Sequence, residues 1–180
     1  MSYRPLTDVW ILTRARLLHG VKYYGAYPGG FPERARALLG VSIHDPVLHV
    51  CGGMARHYPY RGGFGPNDAT LDLDPGTMPD FLQDARGAMP RPPVPFKAML
   101  ADPPYTPEDA EHYQPGARQY PKPNALVASM LAALDPGQRC GILHYILPAP
   151  PKGTRFVACV QVVVGFNNRP RCFSVFERAA

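Results

Sequence analysis

Apolar positions along the chain gather in short runs punctuated by glycine and proline, a pattern that predicts buried strands. Val47-Leu48-His49-Val50-Cys51 is the first clear run, and it enters a tight loop at Gly52-Gly53. Residues 69–73 predict a second strand, closed by Asp74-Pro75-Gly76, and Phe81-Leu82-Gln83-Asp84 a third, very short one. Residues 96–101, 140–147, 156–166 and 171–177 complete a set of seven. The last two flank Asn167-Asn168-Arg169-Pro170 and predict an antiparallel hairpin. Helix signals are fewer. Thr7-Asp8 ahead of Val9-Trp10-Ile11-Leu12 predicts a short capped helix ending near Gly20. Pro32 and Glu33 open a second helix that Gly40 stops, and residues 124–134 form a third, ended by Asp135-Pro136-Gly137. Residues 58–67, 90–95 and 106–123 are rich in Pro, Gly or polar residues and predict loops.

Strands that alternate with helices or long connections and then close on a hairpin define a mainly parallel α/β sheet. The expected layout is one domain over 1–180, with a helical segment over 1–40 leading into a sheet core over 47–178. A length of 180 residues suits a single core, and 46% hydrophobic residues is ordinary for a globular protein. The 23 prolines imply many stiff loops. A net charge of +5 is compatible with a polyanionic partner, although the basic residues are scattered. The four cysteines form no C-x-x-C pair, and no accepted ligand spacing joins them to His49, His57 or His144. They are read as free thiols, with no metal expected. There is no signal-peptide pattern and no apolar stretch of the roughly 20 residues that span a bilayer. The expectation is therefore a cytoplasmic protein with no membrane partner.

In sheets of this kind a ligand sits beyond the carboxyl ends of the strands, where strand order reverses. The unusual polar residues all stand at such ends: Gly52-Gly53, Asp72 with Asp74, Asp84, and Asp102-Pro103-Pro104-Tyr105. Glycines let a ligand approach the backbone closely. Asp72 is placed to accept hydrogen bonds from a ribose diol, and Asp84 from an exocyclic amine or ring donor. Neither a phosphate-binding G-x-x-x-x-G-K-[ST] nor a full G-x-G-x-x-G is present, so the pocket has the shape of a nucleoside site without a phosphate cradle. Two adjacent prolines cannot continue a ladder, so "ADPPY" (101–105) is a stiff turn that fixes the directions of Asp102 and Tyr105.

The order of these segments resembles the S-adenosylmethionine-dependent amino-methyltransferases that modify adenine N6 or cytosine N4. "VLHVCGG" (47–53) is similar to their first cofactor motif and implies contacts from His49, Cys51, Gly52 and Gly53. "TLDLDP" (70–75) resembles the strand whose acid holds the ribose, and "LQDAR" (82–86) the segment framing the adenine, through Asp84 and Ala85. "YPGGFPERARALL" (27–39) resembles the stretch that touches the methionine part, which brings in Phe31. "ADPPY" resembles the catalytic motif. The resemblance implies a Rossmann-like, class I methyltransferase-like fold: a seven-stranded, mostly parallel sheet with a C-terminal antiparallel hairpin. It also implies S-adenosylmethionine as cofactor and methyl transfer to a base amine, adenine N6 in DNA first. The implied partner is nucleic acid, DNA ahead of RNA, with a homodimer or separate specificity subunit left open.

The chemistry it implies is positional. Asp102 and the Pro103 carbonyl would each accept one N–H of the acceptor amine, Pro103-Pro104 would hold that geometry, and Tyr105 would stack on the base. The chain departs from the family pattern at His49, where an acid is usual, and at Ala55, where glycine is usual. Two other readings stay open: a non-catalytic binding module of the same fold, and an enzyme acting on a protein amide or small amine. His112, Tyr113, Arg118, Tyr120 and Lys122 read either as a nucleic-acid-facing loop or as a solvated surface. Tyr23, Tyr24 and Tyr27 read as packing, and His144 as a satisfied interior histidine.

Overall fold

A computed structural model describes residues 4–14, 26–57, 63–113, 119–165 and 169–180. They form one eight-stranded sheet. In chain order the elements are β1 (Leu6–Leu12), α1 (Phe31–Leu39), β2 (Val47–Val50), β3 (Ala69–Asp72), β4 (Phe81–Leu82), β5 (Ala98–Ala101), α2 (Pro107–Tyr113), α3 (Pro123–Ala133), β6 (Arg139–His144), β7 (Thr154–Val164) and β8 (Arg171–Arg178). The spatial order is β1-β7-β8-β6-β5-β2-β3-β4. Every neighbouring pair is parallel except the two made by β8, which runs against β6 and β7.

β2 and β5 are buried along their whole length, as parallel strands covered on both faces must be. Alternation along them sorts the core in two. Val47, Ala98, Leu100 and Leu143 join Phe31, Ala35 and Leu39 of α1 on one face. Leu48, Val50, Met99, Ala101 and Ile142 join Leu126, Val127 and Met130 of α3 on the other. α1 begins with a proline in its first turn and stops where Gly40 takes the left-handed conformation, φ 74, as its sequence predicts. Among the described residues no helix is long and apolar enough to cross a membrane. All four cysteines are free. Burial and the neighbouring Cys172 push the Cys159 thiol up to about 12.

Three expectations are corrected. The first is the helix at Thr7-Asp8: residues 6–12 are a strand, the eighth of the sheet, paired in parallel with β7. Trp10 and Leu12 are buried while Val9 and Ile11 are exposed, a period of two that β-branched residues favour. Asp8 does not cap a helix, because its Oδ2 accepts from Trp10 Nε1 at 3.1 Å. The rest of that predicted helix, from residue 15, lies outside the described residues. Second, the sheet therefore has eight strands where seven were expected. Third, the predicted loop 106–123 contains α2. The Thr106 Oγ1 accepts from Asp109 N at 3.1 Å and Pro107 opens the helix, an N-terminal signal present in the sequence.

Gly52 shows how tightly β2 and β3 meet. Its N–H donates to the Leu71 carbonyl at 3.2 Å, and a Cβ there would lie 2.8 Å from the His49 carbonyl oxygen and 3.2 Å from the Thr70 methyl. Gly52→Ala is expected to cost about 1–3 kcal/mol of unfolding free energy, read from urea denaturation.

Candidate active site

The strand order reverses between β2 and β5, since the chain goes on from β2 to β3 and β4 on one side and from β5 to β6 on the other. A cleft opens beyond the carboxyl ends of these strands. Cys51 and Gly53 after β2, Asp72 at the end of β3, Asp84 and Ala85 after β4, and Asp102 and Pro104 after β5 all line it. Four stretches far apart in sequence thus converge on one cavity. The wall opposite comes from Ala110 and Tyr113 of α2 and from Tyr120 and Pro121.

Asp72 holds the floor together. Its Oδ2 accepts from Gly53 N at 2.8 Å and its Oδ1 from Asp74 N at 3.0 Å. A carboxylate has about four lone-pair sites, so each oxygen keeps capacity for a ligand hydroxyl. Asp84 is engaged differently. Arg86 grips both of its oxygens, with Nε at 3.1 and 2.8 Å and Nη2 at 2.5 Å, and also gives its backbone N–H at 2.9 Å. Those bonds hold the Asp84 carboxyl below the usual range. Arg86 reaches on to Gln119 and ties the adenine-side segment to the opposite wall. The Cys51 thiol is pushed well up, first by burial and then by Asp72, Asp102 and Asp84.

Asp102 N donates to the Val50 carbonyl at 3.2 Å, which extends the β2–β5 ladder to the turn. Its carboxyl is raised to about 6, because burial outweighs the opposing Arg171 charge and the hydrogen bond from Tyr105. Tyr105 OH donates to Asp102 Oδ1 at 2.5 Å. The expected stacking face of Tyr105 is turned inward in this structure. Its ring centroid lies 4.4 Å from that of Tyr145, tilted by 51°, and 5.2 Å from that of His144, edge to face. His144 is buried, and its Nδ1 accepts from Ile146 N at 2.8 Å. Its Nε2 lacks a partner among the described residues, so the histidine read as satisfied is only half so. Burial takes its pKa down to about 4.

Besides Tyr105, four of the predicted contacts lie outside the cleft's lining. Phe31 is fully buried in the α1-side core, 5.0 Å from Phe173 and 6.3 Å from Trp10, centroid to centroid, so it has no face for a cofactor. His49 points to that same side, because its neighbours Leu48 and Val50 take the other. It stacks on Phe64 at 5.0 Å, and its Nε2 meets Asp68 Oδ2 at 3.1 Å. Gly52 serves the β2–β3 contact, and Pro103 is buried. Conversely, Arg171 supports the site from outside every motif, Arg86 belongs to the LQDAR segment that the resemblance sets at the adenine, and Tyr113 and Tyr120, read as nucleic-acid-facing or solvated, line the cleft. For the two tyrosines the signal was the aromatic content of the 106–123 stretch. In that stretch Lys122 Nζ sits 4.3 Å over the Tyr120 ring, while Arg118 lies outside the described residues, as do Tyr23 and Tyr24.

This is the class I methyltransferase fold. TrmN from Thermus thermophilus superposes with a TM-score of 0.60 at 21% identity over 86% of this chain and 50% of that one. An rRNA methylase from Streptococcus thermophilus gives 0.53 at 12% identity over 82% of this chain and 96% of that one. The N-methyltransferase NodS from Bradyrhizobium japonicum WM9, in complex with S-adenosyl-L-homocysteine, gives 0.51 at 12% over 84% and 89%. The chain spans about half the length of TrmN. No protein-family model and no curated protein sequence matches it.

Proposed function

We propose that the protein transfers a methyl group from S-adenosylmethionine to an exocyclic amine of a nucleic-acid base. The observation that carries this reading is the cleft at the sheet's reversal point, which gathers Gly53, Asp72, Asp84, Ala85, Asp102 and Pro104 around one space, with Tyr105 hydrogen-bonded to Asp102 beside it. The residues present fit the cofactor. Asp72 retains lone pairs for two ribose hydroxyls, Leu73, Ala85 and Pro104 supply apolar walls, and the Asp84–Arg86 segment closes the adenine end. The cofactor supplies an activated methyl on a sulfonium. Asp102 accepts an N–H of the acceptor amine through Oδ2, while Tyr105 holds Oδ1. The proline pair fixes that direction, so the gain is positional and electrostatic. The carboxylate form does this work.

The motif resemblance supports adenine N6 of DNA as the acceptor. A structural relative described as an rRNA methylase supports RNA as the competing one. Calorimetry with S-adenosylmethionine, followed by transfer of labelled methyl to DNA, RNA and protein extract, tests the reading. Binding with label in nucleic acid upholds it. Label in protein alone moves the acceptor, and no binding at high micromolar cofactor leaves a non-catalytic module. Asp72→Ala is expected to weaken cofactor binding by about tenfold or more through the lost ribose bonds. Unchanged affinity would remove Asp72 from the cofactor site.

A further inference from the structure

The acidic end of the cleft is braced by a residue outside every motif in the sequence. Arg171 opens β8, the one strand that runs against the rest, so its first residue arrives at the rim where β5 and β6 end. There Arg171 Nη1 donates to the Tyr105 hydroxyl oxygen at 3.1 Å, and that hydroxyl donates its proton to Asp102 Oδ1 at 2.5 Å. A phenol has one proton to give. With a guanidinium donating into its oxygen, that proton is directed to Asp102. A guanidinium stays charged and cannot reverse the chain's direction. The ring between them is held by His144 and Tyr145, so the phenol has little freedom to swing.

We propose that Arg171 is a positioning residue for Asp102: acting through the Tyr105 hydroxyl, it fixes one carboxylate oxygen, leaves the other to the acceptor amine, and supplies the positive charge that balances the carboxylate. The role in transfer rests on the function proposed above, whereas the linkage itself does not. The other groups around the chain are these. Cys51 after β2, Asp72 at the end of β3 and Asp84 after β4 share the cleft with Asp102. His144 and Tyr145, at and beyond the end of β6, face the Tyr105 ring, and Asp109 of α2 acts on His144. Arg171 and Tyr105 are the two that oppose the burial of Asp102. The Arg171 Nε is itself buried without a partner among the described residues.

The test is the titration of Asp102 by carboxyl-¹³C NMR in the cofactor-free protein, with the resonance identified by its absence in Asp102→Asn. It is run on the parent chain, Arg171→Met, Arg171→Lys and Tyr105→Phe. Cofactor affinity is followed by calorimetry, and kcat/KM against pH is measured on the acceptor that takes label. Arg171→Met is expected to raise the Asp102 midpoint by about one unit or more, with Arg171→Lys recovering at least half of the shift. Tyr105→Phe should shift it in the same direction. The acid limb of kcat/KM should move with the midpoint, and cofactor affinity should stay within about threefold. An Asp102 midpoint unmoved in both folded Arg171 variants overturns the proposal. A shift in Arg171→Met with none in Tyr105→Phe overturns the route through the phenol. A parent chain that methylates nothing sinks the functional reading instead, and the titration still decides the linkage.

Discussion

Asp102→Ala is expected to lower methyl transfer by about 10²–10⁴-fold while leaving cofactor affinity within about threefold. The split follows from placement. In the proposed function Asp102, with its Oδ1 on Tyr105, faces the acceptor, whereas the carboxylate assigned to the ribose is Asp72, bonded to Gly53 N. Rates at saturating cofactor, set beside calorimetry on the same preparation, check it. Transfer at the parent rate would refute the assigned role. The pH dependence has a definite sign. The carboxyl is raised to about 6 by burial, and the ionised form accepts the amine N–H, so activity should climb as pH rises through that value. Stability should move the other way. The folded protein keeps a proton that an unfolded aspartate releases near pH 4, so stability falls as pH rises from about 4 to about 6. Asp102→Asn should therefore be more stable than the parent by about 1–3 kcal/mol at pH 7 and nearly inactive, the trade expected of a catalytic group held in an unfavourable environment.

Asp68→Ala should cost about 3–5 kcal/mol, a large share of the 5–15 kcal/mol that ordinarily separates folded from unfolded domains. Asp68 is fully buried on the face of the sheet opposite α3. Its Oδ2 takes Arg36 Nη2, His49 Nε2 at 3.1 Å and Gly65 N at 2.7 Å, and its Oδ1 takes Val47 N at 3.1 Å. Arg36 also donates to the carbonyls of Gly63 and Ser42, at 3.2 and 2.7 Å. One carboxylate thus pins α1, the start of β2 and the 63–68 turn. Its loss strands a buried guanidinium, a histidine and two backbone donors. Burial raises its pKa, but the bonds from His49 and Arg36 outweigh that and hold it below the usual range. A depressed carboxyl contributes stability that is complete above its unfolded value and lost as pH falls through the folded one. The advantage of the parent chain over Asp68→Asn should be full at pH 7 and shrink below about pH 4, as read from urea midpoints across that range.

The same residues show what was legible beforehand. Asp72 and Asp102 stand at the ends of β3 and β5 as the apolar runs and the following turns imply, because a buried strand must end where the chain can no longer pair. Gly40 and Pro32 bounded α1 for equally local reasons. Thr106-Pro107 announced α2, and the polar composition of the stretch hid it. β1 is the exception, because Thr7-Asp8 resembles a helix start, while its partner β7 lies at the far end of the chain.

Local chemistry along the chain determined where every strand but β1 runs, how those strands stop and which side chains mark the stops, since propensity, capping and proline geometry act over a few residues. Three-dimensional packing decided the rest. It set which face His49 and Phe31 take, gave Asp84 to Arg86, turned Tyr105 back onto Asp102, and brought Arg171 to the rim by reversing one strand. These depend on pairings across long loops, and such contacts form only when distant segments bury surface together.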